Sequence, residues 1–119
     1  MDIQELSEQA MKIRARYAEF ERSSGGRSWT REEVMEGFVV DVGDLMKLVM
    51  AKNGIRVVED VDKKLAHELS DCLWSVLVLS KLYNVDIEQS FLTTMRELDS
   101  SIQAKTGISV PCGEDVAPP

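Results

Sequence analysis

The chain has 119 residues, 44% of them apolar and 29% charged, and a formal net charge of -7. That length builds one modest core rather than two, and charge of that sign repels nucleic acid backbones and anionic lipid. Leu, Val and Met dominate the apolar side, aromatics are few, and no proline precedes residue 111. This balance favours helices over many short strands.

In the first segment Ile3, Leu6, Ala10, Ile13, Tyr17 and Phe20 recur at steps of three and four. Such spacing predicts an amphipathic helix, ended by the breaker Ser23-Ser-Gly-Gly26. Thr30-Arg-Glu-Glu33 then reads as a capping box that opens a second helix. That helix runs to about Lys52, where Asn53-Gly54 supplies a left-handed stop. Val34, Phe38, Leu45 and Leu48 share one stripe of it, with Met46 and Met50 opposite. Ile55 to Val58 is expected to be extended. A third helix begins between Glu59 and Asp62, carries Leu65, Leu69, Leu73, Val76 and Leu77, and ends near Asn84. From residue 72 it is apolar nearly all round, the mark of a central helix or a subunit interface. Asp86 caps a fourth helix with Ile87, Phe91, Met95, Leu98 and Ile102 on one side, and Gly107 ends it. Residues 1–106 form one helical domain. The tail, residues 107–119, holds all three prolines without periodicity and is expected to be irregular or disordered.

Two acidic pairs interrupt this apolar patterning. Asp41 and Asp44 lie in the stripe of the second helix, and Glu68 and Asp71 lie in the third. Residues three apart on a helix point the same way, about 5–6 Å apart at Cβ. Two antiparallel helices at ~8–10 Å would bring the pairs together. Carboxylates on an apolar face are costly unless a charge compensates them, and four that converge call for a cation. Oxygen-only ligands suit hard ions such as Mg²⁺ or Mn²⁺, which neutralise phosphate chains and activate water. Gly43, between the first two acids, costs ~1 kcal/mol in a helix interior and would allow another helix or a ligand to approach.

The residues around these pairs resemble the MazG-like all-α nucleotide pyrophosphohydrolases. That family carries E-x-x-E, a spacer, then E-x-x-D. Asp41-Val-Gly-Asp44 takes the place of the first motif and Glu68-Leu-Ser-Asp71 that of the second, within His67-Glu-Leu-Ser-Asp-Cys-Leu73. Tyr83-Asn-Val-Asp-Ile87 is similar to the turn before the family's last helix. The resemblance spans about residues 1–100. It implies a four-helix bundle-like protomer assembled as a homodimer or homotetramer, with Mg²⁺ (or Mn²⁺) held by Asp41, Asp44, Glu68 and Asp71. It also implies hydrolysis of a nucleoside triphosphate to the monophosphate and pyrophosphate. Water would attack the α-phosphorus and a carboxylate of the cluster, Asp41 or Glu68, would take its proton. Two departures stand out. The first pair is Asp-x-x-Asp, each side chain a methylene shorter than Glu. The last helix offers only Arg96 where the family often carries a basic phosphate-holding set.

Other residues have plainer roles open to them. Glu33-Val-Met-Glu36 also reads E-x-x-E, but Glu33 is needed for the cap and Glu36 is at most an outer ligand. His67, the only histidine, argues against a di-iron bundle, which would use paired E-x-x-H motifs; a surface or second-layer position is expected. Trp29 either stacks on a nucleobase or staples the second helix to Phe20. Trp74 is expected in the core or an interface, and Lys63 and Lys64 in solvent. Cys72 reads as a small hydrophobe, and with Cys112 it makes neither a metal spacing nor a disulfide framework. No signal peptide is apparent in Met1-Asp-Ile-Gln-Glu-Leu6, and the longest uncharged run, Cys72 to Ser80, is too short for a bilayer. The expectation is a cytoplasmic, metal-dependent enzyme with no nucleic acid or membrane partner. The rival is a non-catalytic helical interaction protein of the same descent.

Overall fold

The structure, a computed structural model, describes residues 1–107. It is all-α, with four helices: α1 at Ile3–Ser23, α2 at Arg31–Lys52, α3 at Val61–Leu82 and α4 at Ile87–Thr106.

Local chemistry explains each boundary. The Glu5 amide donates to the Asp2 carboxylate at 2.8 Å and starts α1. A left-handed Gly25 (φ 85°) turns the chain away at its end. Thr30 and Glu33 cap α2 reciprocally: the Glu33 amide donates to Thr30 Oγ1 at 3.2 Å, and the Thr30 amide donates to Glu33 Oε1 at 3.1 Å. A cap of this kind contributes ~1 kcal/mol. At the other end of α2, Gly54 takes φ 79° and the Ile55 amide donates to the Met50 carbonyl at 3.0 Å. Ile55 to Val58, expected to be extended, form no strand. No strand pairs with them among the described residues, and they link α2 to α3. Asp60 enters that helix at φ 51°, a left-handed conformation that Asp tolerates better than most side chains.

The chain packs as two units, the first running through Ile87 and the second beginning at Glu88. In the first unit α3 packs against both α1 and α2, so the helix that is apolar nearly all round is the central one. Ala10 of α1, Val34 of α2 and Leu77 and Val78 of α3 form the buried core, with Leu6, Trp74 and Leu82 packed against it. Full burial of a Val or Leu side chain is worth about 1.5–3 kcal/mol. Leu48 is also buried, and Phe38 and Leu45 are half-buried, so the expected stripe of α2 does face inward. Not all the apolar surface is covered: Val39, Val42 and Met46 of α2 and Leu69 and Leu73 of α3 are exposed. The second unit contains α4, which has no buried residue. The expected tail, from Ile108 onward, lies outside the described residues. Among the described residues, no helix is long and apolar enough to cross a membrane.

Candidate metal centre

The acids of α2 and α3 meet where those two helices pack. Asp41, Asp44 and Glu68 each present a carboxylate oxygen within 4.8 Å of the others, and all three are half-buried. The i, i+3 spacing on α2 sets the first two side by side, and the α2–α3 contact brings Glu68 to them. Burial pushes the Asp41 carboxyl above its ordinary range, and repulsion from Asp71 and Asp44 adds to it, against a smaller lowering by His67. Glu68 is pushed up in the same way, first by burial and then by Asp41, Asp71 and Asp44. Glu68 Oε2 is shielded from water and has no hydrogen-bond partner. Unpaired buried oxygens of this kind are costly, and a cation is the partner their chemistry fits. The donor set, three carboxylates and no nitrogen or sulfur, suits Mg²⁺ or Mn²⁺.

Asp71, the fourth expected ligand, does not join this group. It lies near enough to raise the proton affinity of both Asp41 and Glu68, but its Oδ2 pairs with His67 Nε2 at 3.2 Å. One turn of α3 separates those two residues, and the imidazole competes for the carboxylate. His67 is exposed and one step removed from the acids, as its position in the sequence suggests. Cys72 borders the same group, and burial raises its thiol first, with Asp41, Glu68 and Asp71 adding to it. A thiol so placed stays protonated, in keeping with a small hydrophobe.

A cavity of about 710 Å³ opens beside the acids; Asp41 and Asp71 form part of its wall, and Tyr17, Trp29 and Trp74 supply aromatic surface. Tyr17 meets Trp74 edge-on, centroids 6.3 Å apart at 77°. The Trp74 indole donates to the Ala10 carbonyl at 3.1 Å, so this ring serves the core and the cavity at once. Trp29 does not staple α2 to Phe20, which is itself exposed. Its ring instead rests over Gly37 and faces the cavity. Arg14 donates from Nη2 to the Trp29 carbonyl at 2.9 Å, and its Nε is shielded from water without a partner.

Sequence reasoning missed Arg14 and Gly37. A signal existed for each: Arg14 shares a helix face with Tyr17, and Gly37 interrupts a helix interior at a cost of ~1 kcal/mol. Glu33 stays in its cap, also held by Arg27, and Glu36 is exposed and outside the acidic group. Arg96 belongs to α4, where it donates to Thr93 Oγ1 at 3.3 Å; it is not part of the unit that carries the acids. Lys63 and Lys64 are exposed, as expected. Above Gly43, expected to admit a neighbour, there is open space.

Fold and site together define an all-α protein with a three-carboxylate group beside an aromatic cavity. No family model, no curated protein and no solved structure matches the chain.

Proposed function

We propose that the protein is a Mg²⁺- or Mn²⁺-dependent nucleoside triphosphate pyrophosphohydrolase of the MazG-like kind. The observation that carries this reading is the convergence of Asp41, Asp44 and Glu68 from two helices, with Asp41 also in the wall of an aromatic cavity. A divalent cation held by these three residues would supply positive charge for the phosphate chain and acidify a water. The cavity orients the nucleotide, its ring against Trp29 and its phosphates toward the acids. Asp41 or Glu68 would be the base that takes the proton of the attacking water. Oxygen attack at the α-phosphorus breaks its bond to the bridging oxygen, and pyrophosphate leaves. Asp71, held by His67, acts on the charge of this group from outside it. The substrate is an anion approaching an acidic chain, so the cation is a condition for binding as well as for chemistry.

The protein is further proposed to act as a homo-oligomer, in the cytoplasm. Exposed Val39, Val42, Met46, Leu69 and Leu73 on α2 and α3 support the first point, since an apolar surface of this kind is usually covered. Light scattering of the purified protein tests it.

The function is tested by pyrophosphate release from a full panel of nucleoside and deoxynucleoside triphosphates with Mg²⁺ or Mn²⁺. No release from any of them sinks the reading. Two observations favour a non-catalytic relative: Asp71 is tied to His67, and among the described residues Arg14 is the one Arg or Lys in the cavity wall. Metal titration of thermal stability separates the two ideas in part, because a bound ion at 100 times its Kd stabilises by about 2.7 kcal/mol. A metal shift without pyrophosphate release identifies the non-catalytic relative.

A further inference from the structure

We propose that Gly37 is a specificity-determining position, because its missing Cβ is what seats Trp29 and so sets the width of the slot that receives the substrate's ring. The inference rests on the reading of this cavity as a nucleotide site. A Cβ built at Gly37 would stand 2.8 Å from Trp29 Cζ3 and 3.4 Å from Cη2. Carbon atoms in contact prefer about 3.5–4.0 Å, so the benzene edge of the indole lies where any side chain at position 37 would be.

The backbone of Trp29 has little freedom to relieve such a clash. Its carbonyl accepts from Arg14 Nη2 at 2.9 Å, and the next residue, Thr30, is locked in the capping box of α2. The indole itself is half exposed (49%), so it must swing about its side-chain torsions and leave α2. Another aromatic of the cavity wall is fixed, since Trp74 is bonded to the Ala10 carbonyl and packs edge-on with Tyr17. One aromatic of the lining is therefore held in place, and the seat of the other is set by a single glycine. A displaced indole narrows or misaligns the ring slot without touching Asp41, Asp44 or Glu68. The bicyclic purines, which fill more of the slot than pyrimidines, are affected most.

The test is equilibrium binding of the four ribonucleoside triphosphates and of inorganic tripolyphosphate, all with Ca²⁺ to slow turnover. The proteins are wild type, Gly37→Ala, Trp29→Leu and the double variant. Ala is a better helix former than Gly, so Gly37→Ala is expected to fold, and its melting curve checks this. The expected result is at least tenfold weaker purine triphosphate binding in Gly37→Ala, with a lower purine-to-pyrimidine affinity ratio. Tripolyphosphate affinity changes less than twofold. In the Trp29→Leu background the effect of Gly37→Ala falls below twofold, because the clashing ring is gone. The proposal is overturned if Gly37→Ala leaves the ratio unchanged, weakens tripolyphosphate equally, or acts as strongly without Trp29. It also falls if wild type binds no nucleotide. Tight, Gly37-dependent nucleotide binding without pyrophosphate release would instead sink the catalytic reading and leave this proposal standing.

Discussion

The two acidic pairs have the same spacing and the same helical setting, yet they end in different places. Asp41 and Asp44 both turn their oxygens into the group that Glu68 completes. The second pair splits: Glu68 joins, while Asp71 is drawn to His67 at 3.2 Å. The difference teaches that helical spacing aligns two carboxylates but does not decide what they bind. On α2 the competition is weaker: Lys47, three residues beyond Asp44, reaches its carboxylate only at 4.0 Å. On α3 an imidazole one turn away does compete.

This contrast sets an order of effects. The largest is expected for Glu68→Gln, which keeps the shape and removes the charge of the one carboxylate that α3 adds to the group. Pyrophosphate release should fall by about 10²–10⁴-fold, the usual worth of a positioned acid–base group, with loss of the metal-induced thermal shift. Asp71→Asn should cost less, about 10–100-fold, as for partners that surround a metal's direct ligands, and His67→Ala less again. Equal losses for Asp71→Asn and Glu68→Gln would erase the distinction and restore Asp71 as a direct ligand.

Smaller effects appear in stability without metal. Asp41 is raised by burial first and by Asp71 and Asp44 next, and Glu68 by burial and then by Asp41. A carboxyl whose folded pKa is raised favours folding fully below its unfolded value, about 4. That contribution is lost as pH rises through the folded value. In metal-free protein the melting temperature of Asp41→Asn should therefore gain on wild type by a few degrees between pH 4 and pH 7. Saturating Mg²⁺ should close the gap at pH 7, because the ion restores the partner the carboxylates lack. A gap that is flat with pH, or that narrows toward neutrality, would contradict the crowding of these acids.

The smallest effect concerns Gly43, which sits between the first two acids with nothing near its missing Cβ. Gly43→Ala should stabilise the fold by ~1 kcal/mol in urea denaturation, with metal affinity unchanged. Destabilisation would mean that a second copy of the chain packs closely there.

Much of this molecule was legible before folding. Four helices, the Thr30–Glu33 capping box and the glycine stops at Gly54 and Gly107 follow from local hydrogen bonding and backbone sterics, which short stretches of chain decide by themselves. The inward stripe of α2, with Asp41 and Asp44 on it, follows from the 3.6-residue period alone. The tertiary structure decided the rest. It brought Glu68 to Asp41 and Asp44 and left Asp71 paired with His67, because which helices meet is not written in spacing. It turned Trp29 from a possible staple of Phe20 into a cavity wall over Gly37, since that contact depends on how the loop from Arg27 to Thr30 returns across α2. It drew Arg14 of α1 to a carbonyl fifteen residues away. The sequence determined which faces carry charge and which carry carbon; only packing decided which of those groups meet.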